Sequence, residues 1–355
     1  MNFSGAWTAL ITPFKDDCSV DWDGLKKNVL FQIKEGISGL LPMGTTGESP
    51  TLSHDEHNKV NKRVFEFAED KCWILAGCGS NSTEESIKSI AAAKEAGMKA
   101  ALVIDCYYNG PSSLELRTRH YEVIAKKFPG IDFIPYIIPG RTGCEMSAYD
   151  LAILAENCPN VRAVKEATGN IERMELEGAI LPEGFSILSG DDGITFKIMS
   201  SPKIKGKGVI SVMTNVTPGA IGEMCKLLLD GKVSEAEKID EKLKPLFDAI
   251  TVQAERKVKI SGSAYTVVDK FRNPLPVKTM MNGLGIPSGP CRMPLGKMTS
   301  AGVSVVRDAL KTVWRKNPEV LEPLADFYGV DIKKRLSNDS VWKELATGIK
   351  FSDEE

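Results

Sequence analysis

The segment Val161-Arg162-Ala163-Val164-Lys165-Glu166-Ala167-Thr168-Gly169 carries a lysine where a lysine can act as a nucleophile. An ordinary lysine amine keeps its proton up to a pKa of about 10.4, and burial is one way to free it for attack on a carbonyl. The residues before Lys165 read as a short apolar strand on which Val161, Ala163 and Lys165 share one face, so the amine is expected to point inward or up into a pocket. A solvated surface lysine is the alternative. Tyr136, near the end of another apolar run, carries a phenol able to exchange a proton with a Schiff base. A core tyrosine with a satisfied hydroxyl fits the same position. Thr45 and Thr46, in Gly44-Thr45-Thr46-Gly47-Glu48-Ser49, offer two hydroxyls and exposed turn amides that can hold a carboxylate without a metal, or else make a plain tight turn. Arg141 brings a planar fork suited to a carboxylate, or a surface ion pair. Taken together these groups can run carbonyl chemistry through an imine.

Other motifs are weaker. Gly77-Cys78-Gly79 follows a strand and precedes a helix, but Ser82 stands where the dinucleotide fingerprint needs its third glycine. No Walker A, G-x-S-x-G or H-E-x-x-H string occurs. His54-Asp55-Glu56-His57 resembles a metal site but reads better as a polar first helical turn, and with three histidines in all no convincing zinc ligand set exists. The eight cysteines are spread singly and read as reduced thiols. Lys203, Lys205 and Lys207 read as a solvated loop.

The elements that must position these groups alternate. Short apolar runs at 7–11, 39–43, 73–76, 100–104, 133–137, 161–164, 185–188 and 208–212 read as strands buried on both faces, with helical stretches between them. Ser53-x-x-Glu56 and Ser82-x-x-Glu85 have capping-box spacing, Gly97 ends the third helix, and Leu25, Val29 and Ile33 form one buried stripe on the first. Eight such units predict an α/β fold, a (β/α)8 TIM barrel over residues 1–231, with a doubly wound open sheet as the other possibility. The candidate groups fall at strand ends, where the following loops of a barrel converge. Tyr107 and Tyr108 follow the fourth strand, Gly190 the seventh, and Ile210 lies in the eighth. From Lys232 the strand signal gives way to an appended helical domain, residues 232–314, with a loop or hairpin at Val258–Asp269 and a rigid turn at Asn273-Pro274-Leu275-Pro276. A C-terminal extension, residues 315–355, carries Trp314 at its edge and Phe327, Tyr328 and Trp342 for docking. Its acidic end, Asp353-Glu354-Glu355, is expected to fray.

Composition excludes several classes. The 45 Lys and Arg against 47 Asp and Glu give a net charge of −2, so no basic excess draws a nucleic acid. A charged fraction of 26% and a mean hydropathy of −0.13 are those of a folded globular chain. No apolar run is long enough to span a membrane, and the start lacks a signal-peptide pattern, so the chain reads as cytoplasmic.

GTTGES, YYN, RTG, KEATGN, SGDD and GVISV occur in that order at the strand ends, and in this the chain resembles the dihydrodipicolinate synthase and N-acetylneuraminate lyase superfamily, over residues 3–231 and again from Asn273 to Val313. The resemblance implies condensation of pyruvate with L-aspartate 4-semialdehyde, with no metal and no cofactor beyond a covalent pyruvate imine on Lys165. It implies that Tyr136 is the acid/base on that imine, linked to water through Thr45 and through Tyr108 of a neighbouring subunit. Thr46 would hold the pyruvate carboxylate, Gly190 and Ile210 would shape the pocket through backbone groups, and Arg141 would anchor the aldehyde's carboxylate. It further implies a homo-oligomer, a dimer or tetramer, with lysine as an effector at Ser49, His54, His57, Asn81, Glu85 and Tyr107. Tyr136-Ile137-Ile138-Pro139-Gly140-Arg141 departs from the family's Tyr-Asn-Val-Pro-Ser-Arg, Pro50 replaces a small residue beside Ser49, and the stretch from Leu246 to Asn273 and the C-terminus are both longer than usual.

Two other readings compete. Ile137 leaves room for another pyruvate-dependent 2-oxo acid aldolase, like N-acetylneuraminate lyase or 2-keto-3-deoxygluconate aldolase, whereas Arg141 followed by Thr142-Gly143 favours the synthase. A non-catalytic sensor of pyruvate or lysine is the third, but a sensor has no use for the proton relay of Lys165, Tyr136, Thr45 and Tyr108.

Overall fold

The computed structural model describes residues 2–349. Nine parallel segments form one sheet: β1 (Gly5–Ala9), β2 (Gly39–Leu41), β3 (Trp73–Ile74), β4 (Ala76–Gly77), β5 (Ala100–Ile104), β6 (Asp132–Ile137), β7 (Ala163–Glu166), β8 (Ser186–Ser189) and β9 (Gly208–Ser211). Their order is β3-β2-β1-β9-β8-β7-β6-β5-β4. β3 and β4 are successive pieces of one extended stretch, divided at Leu75, and they correspond to the single strand predicted at 73–76. The first piece pairs with β2 and the second with β5, so this one stretch closes the ring into an eight-stranded barrel. The open doubly wound alternative falls with that closure.

Strand alternation divides the core into two layers. Trp7, Leu41, Leu75, Leu102, Ile134, Ala163, Leu188 and Ile210 fill the barrel, while a larger apolar layer lies between strands and helices. Val161 belongs to the outer layer and not to the inner face with Ala163, contrary to the sequence reading. It precedes the regular strand and makes only an isolated bridge to Phe133.

The helices start where their caps predict. The Ser53 hydroxyl accepts from the Glu56 amide, and the Glu56 carboxylate accepts from the Ser53 amide in return. Ser82 makes only half of such a box, because the Glu85 carboxylate turns to the Ser80 hydroxyl instead. After the helix Val233–Asp248 comes an antiparallel ribbon, β10 (Val252–Ile260) and β11 (Ser263–Phe271), joined by Ser261 and Gly262, both at positive φ (51° and 86°). Nine residue pairs hold it in register. It is longer than the predicted 258–269 because beyond the buried Val252 and Ala254 both faces meet solvent, and the hydrophobic alternation that marks a half-buried strand is weak there.

The helices Leu275–Leu284 and Ser300–Lys316 lead to a tail of three short helices, Glu322–Tyr328, Ile332–Ser337 and Asp339–Leu345. Aromatic side chains dock it. The Tyr328 hydroxyl donates to Asn28 Oδ1 at 2.8 Å, Phe327 lies 5.2 Å from Phe31, and Trp342 covers Gly283, where a Cβ would collide with the indole. The acidic end 353–355 lies outside the described residues. Among those residues no helix is long and apolar enough to cross a membrane, no acidic, histidine or cysteine cluster could hold a metal, and all eight cysteines are free thiols.

Candidate active site

The threonine turn is braced from below. Gly47 and Glu48 amides donate to the Gly44 and Thr45 carbonyls at 3.1 Å each, and the Thr12 hydroxyl donates to the Gly47 carbonyl at 2.7 Å. Gly47 is required, since a Cβ there would stand 2.9 Å from the Met43 amide nitrogen. Glu48, at φ 60°, sends its carboxylate inward to Lys278 Nζ at 2.6 Å and to the Arg292 amide at 2.9 Å. Lys278 also donates to the Thr12 and Pro290 carbonyls at 3.1 and 2.7 Å, so this fully buried ion pair has its hydrogen bonds met. The result presents Thr45 and Thr46 to the barrel mouth. Thr46 Oγ1 accepts from Asn273 Nδ2 at 3.0 Å, and Thr45 hydrogen-bonds the Tyr136 phenol.

Lys165 and Tyr136 are register partners on β7 and β6. The ammonium nitrogen lies 4.2 Å from the centre of the phenol ring, and only 4% of Lys165 is exposed. Burial pulls the Lys165 pKa down to about 7; the Asp192 charge opposes this shift and the Arg141 charge adds to it. Asp192 is itself buried, which pushes its pKa up to about 6 against the hydrogen bonds it accepts from the Ser211 hydroxyl and the Val212 amide. Burial also raises the Tyr136 pKa, so the phenol keeps its proton at neutral pH. Gly190 leaves room beside the amine: a Cβ there would sit 2.7 Å from Ala167 Cβ and 3.3 Å from Lys165 Cε. A cavity of about 290 Å³ joins Thr45, Thr46, Tyr136, Arg141, Lys165 and Gly190. A neutral amine, a protonated phenol and a hydroxyl relay around one small space can form and hydrolyse an imine.

The Ile210 side chain lies outside that wall, packed inside the barrel beside Trp7, and the Val212 position lines the cavity. Tyr108 is also outside it, 90% exposed and at φ 77°. Ile137 faces the outer layer, away from the pocket, while Ile138 lines it. Ser49, His54, His57, Glu85 and Tyr107 surround a second cavity of about 290 Å³ that reaches Thr45 and Tyr136 from the other side. At Asn81 the wall is formed by its neighbour Ser80. Burial lowers the His57 pKa to about 4 and keeps that ring neutral.

Sequence reasoning missed Asn273, Asp192 and the Glu48–Lys278 pair. Asn273 was legible only as the start of a rigid turn. Its carbonyl accepts from Arg141 Nη2 at 2.9 Å, so it ties the arginine to the threonine turn.

The chain matches the family described as Dihydrodipicolinate synthetase over residues 2–313. It is 37% identical over 309 residues to a 4-hydroxy-tetrahydrodipicolinate synthase of Methanocaldococcus jannaschii, covering 87% of this chain and 98% of that protein. A crystal structure of dihydrodipicolinate synthase from Aquifex aeolicus superposes with a TM-score of 0.79 at 36% identity, over 87% of this chain and 98% of the other. The dihydrodipicolinate synthase of Cyanidioschyzon merolae with lysine bound gives 0.79 at 33% identity, over 88% and 98%. With a closed barrel, a buried lysine beside a phenol and matches that run through nearly all of its length, the chain belongs to the dihydrodipicolinate synthetase family.

Proposed function

We propose that the chain condenses pyruvate with L-aspartate 4-semialdehyde, giving 4-hydroxy-tetrahydrodipicolinate on the way to diaminopimelate and lysine. The observation that carries this reading is the buried amine of Lys165 beside the Tyr136 phenol, with its pKa near 7. Neutral Lys165 attacks the keto carbon of pyruvate, whose carboxylate rests on the Thr45–Thr46 turn. Loss of water leaves the imine, and Tyr136 hands protons on and off through Thr45. The enamine carbon then attacks the aldehyde, whose carboxylate Arg141 holds. The amine of that substrate displaces Lys165 and closes the ring, which restores the enzyme. No cofactor is called for beyond the imine itself.

The exposed Tyr108 is the residue that a neighbouring copy would receive, so the working form is a homo-oligomer. The second cavity takes lysine as its effector, through Ser49, His54, His57, Glu85 and Tyr107, with Asn81 at its edge. A cytoplasmic setting suits both substrates. The sugar-acid aldolase reading loses its main support, because Ile137 faces away from the pocket.

The test is incubation with pyruvate and borohydride, location of the adduct by mass, and comparison of turnover with aspartate semialdehyde and with sugar acids. An adduct on Lys165 and preference for the semialdehyde are expected. A Lys165→Ala protein with full turnover would falsify the mechanism.

A further inference from the structure

The ribbon β10–β11 ends at the active-site mouth. Its last residues and those after it, Lys270, Arg272 and Asn273, line both the cavity above Lys165 and a wider vestibule of about 710 Å³ that opens from it. Nine register pairs and an Arg256–Asp269 ion pair stiffen the ribbon, and Val252 and Ala254 root it in the core. Lys270 therefore stands on a rigid element, and Arg272 directly follows its last residue.

Arg272 and Arg141 are cross-pinned by backbone carbonyls: Arg272 Nη1 donates to Gly140 at 3.0 Å, and Arg141 Nη2 donates to Asn273 at 2.9 Å. Burial disfavours the charged form of Arg141, and the Arg272 charge adds to this against the opposing effect of Tyr136. Neither arginine nor Lys270 has an acidic partner among the described residues. The acids on the same walls are engaged elsewhere: Glu48 with Lys278, Asp192 with Ser211 and Val212, and Asp191 with the Gly193 amide. Arg141, Arg272 and Lys270 outnumber the two carboxylates on the same wall, Asp191 and Asp192, and none of the three cations is ion-paired among the described residues, so the mouth favours an anion.

The geometry points to Arg272, with Lys270 behind it, as a specificity-determining partner of Arg141 that holds the carboxylate of the second substrate. This deepens the proposed function and rests on its reading of Lys165 as the residue that carries pyruvate. Arg272 and Lys270 come from the stretch that is longer in this chain than is usual for the family. They give the acceptor's carboxylate a second guanidinium fork at a mouth whose lysine already carries pyruvate.

The experiment uses the full chain, reduced with borohydride after loading with pyruvate, and succinate as a non-reacting probe, with binding read by calorimetry. Arg272→Gln is expected to weaken succinate binding roughly tenfold or more, as loss of a charge-assisted bond does. Lys270→Gln is expected to weaken it a few-fold, by an amount that shrinks as salt rises. Arg272→Lys should recover part of the loss. In steady state the KM for aspartate semialdehyde should rise in parallel, with the KM for pyruvate and the yield of trapped imine unchanged. Succinate that binds both glutamine variants as tightly as the parent overturns the proposal, as does a parent adduct that binds no succinate. An equal rise in both KM values makes Arg272 a structural pin on Gly140 and overturns it too. If succinate behaves as expected while the semialdehyde is not turned over, the choice of aldehyde falls and the anion site stands.

Discussion

At the scale of single residues the chemistry turns on where protons sit. With its folded pKa near 7, Lys165 is half neutral at physiological pH, so the initial rate of pyruvate trapping by borohydride should climb between pH 6 and 8 with a midpoint near 7. The same shift sets a stability trend. In the unfolded chain this amine keeps its proton to an ordinary 10.5, so between about 7 and 10.5 the unfolded state binds more protons and stability rises with pH. Urea midpoints of the parent should therefore climb across that window more than those of Lys165→Met. Tyr136→Phe removes the proposed proton donor and not the amine. It should lower kcat by roughly 10²- to 10⁴-fold, while prolonged incubation with pyruvate and borohydride still labels Lys165.

Elements decide how these residues are held, and here the sequence was uneven as a guide. Lys165, Tyr136 and the two threonines were legible because each sits at the end of a short apolar run, where barrel topology dictates convergence. Asn273 and Lys278 were not, because their partners lie more than 200 residues away in sequence and no local pattern announces them. The ribbon was legible only near its turn, since its outer part buries neither face. The Glu48–Lys278 pair yields a sharp test. Lys278→Met leaves a buried carboxylate uncompensated and should cost about 3–5 kcal/mol in urea unfolding, whereas adding Glu48→Gln should recover most of it. Trp342→Ala removes the ring that covers Gly283, and should destabilise the tail's docking by about 3–5 kcal/mol, read as earlier proteolysis after Lys316.

Across the whole molecule, a net charge of −2 does not describe the active-site mouth, where Arg141, Lys270 and Arg272 gather. Tyr108 stands out in the same view, an exposed aromatic in left-handed backbone, a conformation that costs on the order of 1–3 kcal/mol. If a second copy receives it, Tyr108→Gly should relax the isolated chain yet shift sedimentation toward smaller species and lower turnover. The brace under the threonine turn reaches furthest in its effects. The ammonium that neutralises Glu48 comes from a helix made long after the barrel's last strand. A ribosome that has released the eighth repeat has thus produced a ring whose threonine turn still lacks its keystone. Stalled nascent chains that end before Lys278 should fail to capture pyruvate, and competence should appear abruptly once that helix has cleared the exit tunnel.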